Sequence, residues 1–167
     1  MVCRSNIDCV AFPDDGAEKR FGYLFKKAFP EMEMVTCGKK RDSGDPSKRL
    51  VVVKEGNCEG KHVVIVDDMI QTGGTLYECG RVLKADMGAA SVSAFCTHGI
   101  FPNESWRRFA TVPDNACREA SAAGDRAIFE KIWLTNSNPT VVSQLPVSPA
   151  LDQLLLAEAR AQLTGSG

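Results

Sequence analysis

The stretch His62-Val63-Val64-Ile65-Val66-Asp67-Asp68-Met69-Ile70-Gln71-Thr72-Gly73-Gly74-Thr75 decides how this chain folds. Residues 62–66 have the length and β-branched content of a strand buried on both faces. Two adjacent carboxylates stand at its carboxyl end. A short glycine-containing loop follows, and residues 76–87 then read as a helix. In open α/β sheets, ligands bind in the crevice beyond the carboxyl ends of the strands. The stretch therefore sets two anions and a tight turn at the mouth of one strand.

The chemistry of that mouth follows from residue type. Thr72-Gly73-Gly74-Thr75 can curl so that successive backbone N–H groups point inward as an anion nest. Glycine tolerates positive φ and lets a phosphate approach the backbone. The helix behind the loop adds its positive N-terminal end. The Thr72 and Thr75 hydroxyls can donate to phosphate oxygens, and Thr75 can instead cap the helix. Asp67 and Asp68 suit the hydroxyls of a ribose, because each ionised oxygen accepts hydrogen bonds. Like charges keep them away from a phosphate, and the spacer Met69-Ile70-Gln71 holds the two ends of a ligand apart. Taken alone, the Asp-Asp pair is a solvated strand end and Gly-Gly-Thr is a turn. In this order they make a site for a phosphorylated ribose.

Outward from the motif, strands alternate with helices. Strands are expected over residues 7–11, 32–37, 50–53, 90–96 and 131–134. A helix is expected over 17–29, where Phe21, Leu24, Phe25 and Ala28 recur on one face and Pro30 stops it. Residues 38–49 are polar, basic and glycine-containing, which predicts a flexible loop. Weaker signals predict a helix over 119–129. Ser148-Pro149 reads as a cap and first helical position, opening a last helix to about residue 163. The alternation predicts an α/β fold, a doubly wound, mostly parallel sheet flanked by helices.

Composition bounds the function. The chain has 167 residues, enough for one domain (1–167) with a proper core. It is 44% hydrophobic and 25% charged, with a net charge of −1. That balance gives no electrostatic case for nucleic acid or an anionic membrane surface, and the apolar runs are too short to span a bilayer. Met1-Val2-Cys3-Arg4 lacks the apolar stretch of a signal peptide. The seven cysteines contain no Cys-x-x-Cys pair. They read as reduced, mostly buried thiols, and the expected localisation is cytoplasmic.

The motif resembles the phosphoribosyl pyrophosphate motif of type I phosphoribosyltransferases and ribose-phosphate pyrophosphokinases, matching its Asp-Asp-x-x-x-Thr-Gly-Gly-Thr core completely. Other segments are similar to the pyrophosphokinase branch. Phe12-Pro13-Asp14-Asp15-Gly16 looks like the segment after the first strand of that family's C-terminal domain, where the aspartate after proline joins a metal site. The resemblance thus implies Asp14 as a ligand of Mg²⁺, a hard cation that prefers carboxylate oxygen. Read by itself, the segment is an acidic helix N-terminus. Cys37-Gly38-Lys39-Lys40-Arg41 is similar to the start of the family's flexible catalytic loop. Lys39 and Arg41 fill its catalytic positions, with Lys40 as the alternative if the register slips. Thr97-His98-Gly99, and Trp133 through Pro139, also match. The wording around Arg20-Phe21 and Ser105-Trp106 resembles the class II, plant-type synthases, whose members often carry glutamine at the position of Gln71.

What the resemblance implies is a type I phosphoribosyltransferase-like domain, the C-terminal half of a synthase. It would transfer the pyrophosphoryl group of ATP to ribose 5-phosphate, giving 5-phosphoribosyl 1-diphosphate and AMP. Gln71, Thr72, Gly73, Gly74 and Thr75 would hold the 5-phosphate, Asp67 and Asp68 the ribose hydroxyls, and Arg41 would touch both sugar phosphate and transferred group. A homo-oligomer is expected. Nothing in the chain resembles the N-terminal half that holds ATP, so an excised domain, a truncated gene model or a partial subunit is expected. A free-standing nucleobase phosphoribosyltransferase and a non-catalytic synthase-associated subunit are the other readings.

Overall fold

The computed structural model describes residues 7–41, 44, 49–109, 128–138 and 151–154. In chain order the elements are β1 (Cys9–Phe12), α1 (Asp15–Ala28), β2 (Glu33–Arg41), β3 (Arg49–Glu55), β4 (His62–Ile70) and α2 (Gly74–Arg81). A π-helical turn (Val82–Asp86) extends α2. Then come β5 (Ser91–Gly99), a 3₁₀ segment (Pro102–Arg108), β6 (Phe129–Thr135) and β7 (Leu151–Leu154).

The strands form one sheet in the order β3-β2-β1-β4-β5-β6-β7. Every pairing is parallel except β2 with β3. Alternation along the central strands builds two cores. Val10, Phe12, Val64 and Val66 face one side and pack with Ala17, Phe21 and Phe25 of α1. Cys9, Ala11, Val63 and Ile65 face the other and pack with Leu76, Cys79, Val82 and Leu83. Helices on both faces explain why the motif strand is apolar at successive positions. The expected doubly wound sheet is the fold.

β1 lies between β2 and β4, so the chain winds outward in both directions from the β1–β4 pair. That reversal opens a crevice at the carboxyl ends of these two strands. Asp14 caps α1 at one side of it, its Oδ1 accepting from the Ala17 N–H at 2.9 Å. The motif lies at the other side.

Three expectations are corrected, and a fourth lies mostly outside the described residues. Residues 38–41 are not loop. They are the outer half of β2, and Lys39, Lys40 and Arg41 pair with Val51, Leu50 and Arg49 of antiparallel β3. A polar, basic segment suits a strand near a sheet edge, where charge guards against further pairing; the rest of the 42–48 range, Gly44 apart, lies outside the described residues. Leu151–Leu154 is a strand, not helix, because the free side of β6 takes up its backbone hydrogen bonds. The leucines there fit either period over so short a run. The helix expected over 119–129 lies mostly outside the described residues, and Phe129 begins β6. The motif strand also runs to Ile70, so Asp67 and Asp68 stand within its pairing with β5 rather than beyond it.

The described cysteines, Cys9, Cys37, Cys58, Cys79 and Cys96, are free and buried. The Cys79 thiol lies 3.4 Å from that of Cys37, tying α2 to β2. Among the described residues no helix is long and apolar enough to cross a membrane.

Candidate active site

A cleft of about 250 Å³ opens at the β1–β4 switch. Asp14, Lys39, Asp67, Asp68, Gln71 and the Thr72–Thr75 loop all line it, together with Arg20. An adjoining cavity of about 240 Å³ shares Lys39, Gly74 and Thr75 with it. The cleft therefore gathers residues from β1, α1, β2 and β4 that are far apart in sequence.

The loop takes its shape from one glycine. Gly73 has φ +79° and ψ 0°, a left-handed conformation that an L side chain enters at a cost of about 1–2 kcal/mol. A Cβ there would also meet the Phe109 ring at 2.5 Å. Gly73 is thus the N-cap of α2, and its carbonyl accepts from the Tyr77 N–H at 2.9 Å. Thr75 lies inside the first turn and caps nothing, which leaves its hydroxyl to the cleft. The 100–101 segment braces the loop from behind: Ile100 N–H donates to Ile70 O at 2.9 Å and Phe101 N–H to Gln71 O at 3.1 Å. Phe101 holds φ 45° to do so, and its ring is buried against Phe109.

At the other end of the cleft the carboxylates crowd. Asp67 Oδ1 accepts from the Asp68 N–H at 2.9 Å. Burial first, then the neighbouring carboxylates of Asp68 and Asp14, push the Asp67 carboxyl up to about 6, and that same N–H pulls it partly back. Arg20 Nη2 lies 3.1 Å from Asp68 Oδ1 and 3.6 Å from Asp67 Oδ1. Lys54 pairs with Asp15 at 2.6 Å, which fastens β3 to the start of α1 beside the cleft.

The cleft at the switch point thus has a glycine-containing loop at one end and carboxylates at the other. A family model for the phosphoribosyl transferase domain matches residues 4–143. The chain belongs to this family.

This phosphoribosyl transferase domain is 48% identical over 148 residues to ribose-phosphate pyrophosphokinase 4 of Oryza sativa subsp. japonica, covering 89% of the chain and 41% of the relative. It is 47% identical over 149 residues to the mitochondrial ribose-phosphate pyrophosphokinase 3 of Spinacia oleracea, covering 89% of the chain and 32% of the relative. The chain thus spans well under half the length of these curated relatives. A crystal structure of phosphoribosylpyrophosphate synthetase from Mycobacterium smegmatis shares the fold, with a TM-score of 0.63 and 24% identity over 94% of this chain and 44% of that one.

Within the domain, Lys39 lines the cleft and Lys40 does not. The reason is the strand itself, since neighbouring side chains leave opposite faces. The backbone of Arg41 ends β2 opposite Arg49, and its side chain lies outside the described residues. Arg20 is the cleft residue that reading the sequence missed. It stands beside Phe21 in the wording that resembles the plant-type synthases, but only the adjacency of β1 and β4 brings it onto the carboxylates.

Proposed function

We propose that this domain holds the ribose 5-phosphate half of a ribose-phosphate diphosphokinase site. One observation carries the reading: a single cleft joins Asp67 and Asp68 to the Gln71–Thr75 loop, with Lys39 and Asp14 on its walls. The identity to relatives named ribose-phosphate pyrophosphokinase supports it.

In the reaction, the 1-hydroxyl oxygen of the sugar bonds to the β-phosphorus of ATP. The bond from that phosphorus to the α-phosphate oxygen breaks, AMP leaves with the oxygen, and the hydroxyl proton is released. The loop amides and the Thr72 and Thr75 hydroxyls hold the 5-phosphate. Asp67 and Asp68 accept from the ribose hydroxyls and fix the ring, which sets the 1-hydroxyl toward Lys39. Lys39 and Arg41 supply positive charge where the transferred group gains negative charge.

The donor set fits Mg²⁺. Asp67 titrates high because it is buried and, to a smaller degree, because the Asp68 and Asp14 carboxylates lie near it, and a divalent cation would offset both. Among the described residues no cluster of three metal-ligating side chains occurs. A few carboxylates on an open cleft suit a cation that keeps most of its water and leans on substrate phosphates. One or two of Asp14, Asp67 and Asp68 would hold it, and it would supply charge against the phosphate oxygens.

Calorimetry of the domain with ribose 5-phosphate, and with ribose as the unphosphorylated control, tests the reading. Binding of the phosphorylated sugar alone is expected, and equal or absent binding of both sinks it. Base-dependent release of pyrophosphate from 5-phosphoribosyl 1-diphosphate would instead favour a nucleobase transferase.

A further inference from the structure

The loop has a cation beside it that the reading above does not use. Three arginines outside the cleft stand near the motif, and two are already occupied. Arg81 pairs with Glu78 at 3.0 Å. Arg107 pairs with Glu104 at 2.8 Å and lies over the Trp106 ring at 5.0 Å. Arg108 is exposed and has no ion pair among the described residues. Its Nη1 lies 3.6 Å from where a Cβ on Gly74 would stand, and its Cδ lies 3.4 Å from the same point on Gly73.

That placement is built. Phe109, the next residue, is buried with its ring beneath Gly73. The ring packs edge-on against Phe101 and Phe129, with centroids 6.1 and 5.8 Å away. Phe101 in turn donates its N–H to Gln71 O. Both ends of the 3₁₀ segment are therefore fastened to the loop, so the backbone that carries Arg108 is fixed beside it.

The charges inside the cleft are divided by position. Arg20 is engaged by Asp68 and Asp67, and Lys39 comes from β2. Neither belongs to the loop. A dianionic phosphate on the loop would have backbone dipoles and hydroxyls, and among the described residues Arg108 is the guanidinium that lies beside both Gly73 and Gly74. Guanidinium matches phosphate oxygens with paired N–H donors. The absence of a side chain on Gly74 leaves the approach open.

We propose that Arg108 is a further ligand of the sugar's 5-phosphate, closing over the Thr72–Thr75 loop and setting the preference for phosphorylated over unphosphorylated ribose. The assignment rests on the function proposed above.

Binding of ribose 5-phosphate to the whole chain, measured by calorimetry for the parent, Arg108→Ala, Arg108→Lys and Arg107→Ala, tests it. Arg108→Ala should weaken binding about tenfold or more. Arg108→Lys should fall between, and Arg107→Ala should match the parent within about twofold. The gap between parent and Arg108→Ala should narrow in about 1 M salt, which a structural defect would not produce. Equal affinity of parent and Arg108→Ala overturns the assignment while leaving the loop as the phosphate site. No binding by the parent overturns the function itself, and the assignment with it.

Discussion

Arg20 Nη2 stands 3.1 Å from Oδ1 of Asp68, joining α1 to the motif strand across the mouth of the cleft. Both side chains are more than two-fifths exposed, at 48% and 42%. The pair therefore adds under about 1 kcal/mol to stability. The Arg20 guanidinium also lies 3.6 Å from Asp67 Oδ1. Arg20→Ala should leave the melting temperature nearly unchanged but raise the Asp67 carboxyl further above its ordinary range. Carboxyl NMR titration of both proteins reads this directly, and an unmoved Asp67 would show that Arg20 does not shape the site.

Asp67 itself makes a pH prediction. Its folded carboxyl titrates at about 6, above the ordinary 3.8, so the native state binds this proton more tightly than the unfolded chain does. The stability it contributes is full below about pH 4 and is lost as pH rises through about 6. Asp67→Asn keeps an acceptor for the Asp68 N–H without the charge. It should be more stable than the parent at pH 7, by on the order of 1–3 kcal/mol, with the difference vanishing toward pH 4. Urea unfolding across that range measures it. The same variant should bind ribose 5-phosphate more weakly, so the carboxylate costs stability where it serves the site.

Gly73 and Phe109 are coupled through space. Gly73→Ala should cost on the order of 2–4 kcal/mol, from left-handed strain plus the clash with the ring. In a Phe109→Ala background the clash is gone and only the strain remains. A double-mutant cycle by thermal unfolding should therefore show a smaller cost for Gly73→Ala in that background. Strict additivity would mean that the ring does not confine the loop.

Lys39 and Lys40 separate by strand geometry. In an enzyme that includes the ATP-binding half, Lys39→Ala should lower turnover on the order of 10²–10³, as for loss of one donor to the transferring group. Lys40→Ala should change it by less than about threefold, because its side chain leaves the other face of β2. Steady-state rates of the two variants decide, and a larger loss for Lys40 would reverse the assignment.

Much of this was legible locally. The apolar run 62–66 ending in Asp67-Asp68, and the Thr72–Thr75 turn, carry their meaning in residue type and spacing, because strand burial and phosphate contact each need particular residues at particular steps. Asp14-Asp15 could be read as an acidic helix N-terminus on the same grounds, and α1 does begin there with Asp14 as its cap. Where local signals misled, pairing partners overrode them. The 38–41 segment looks like loop because its side chains are polar, yet β3 supplies its backbone hydrogen bonds. Leu151–Leu154 follows Ser148-Pro149, which reads as a helix start, but the edge of β6 claims it as strand.

The sequence by itself determined the class of fold and the central motif, and it proposed the kind of ligand that motif suits. Only the tertiary structure decided which residues share the cleft. β1 and β4 are separated by two strands in the chain and are neighbours in the sheet. That adjacency brings Arg20 onto Asp67 and Asp68, while β2 beside β1 carries Lys39 to the cleft and β5 beside β4 sets Arg108 against Gly74. Sequence period encodes which face a side chain takes within its own element. The charge it meets across the sheet depends on strand order, which packing of the two cores selects.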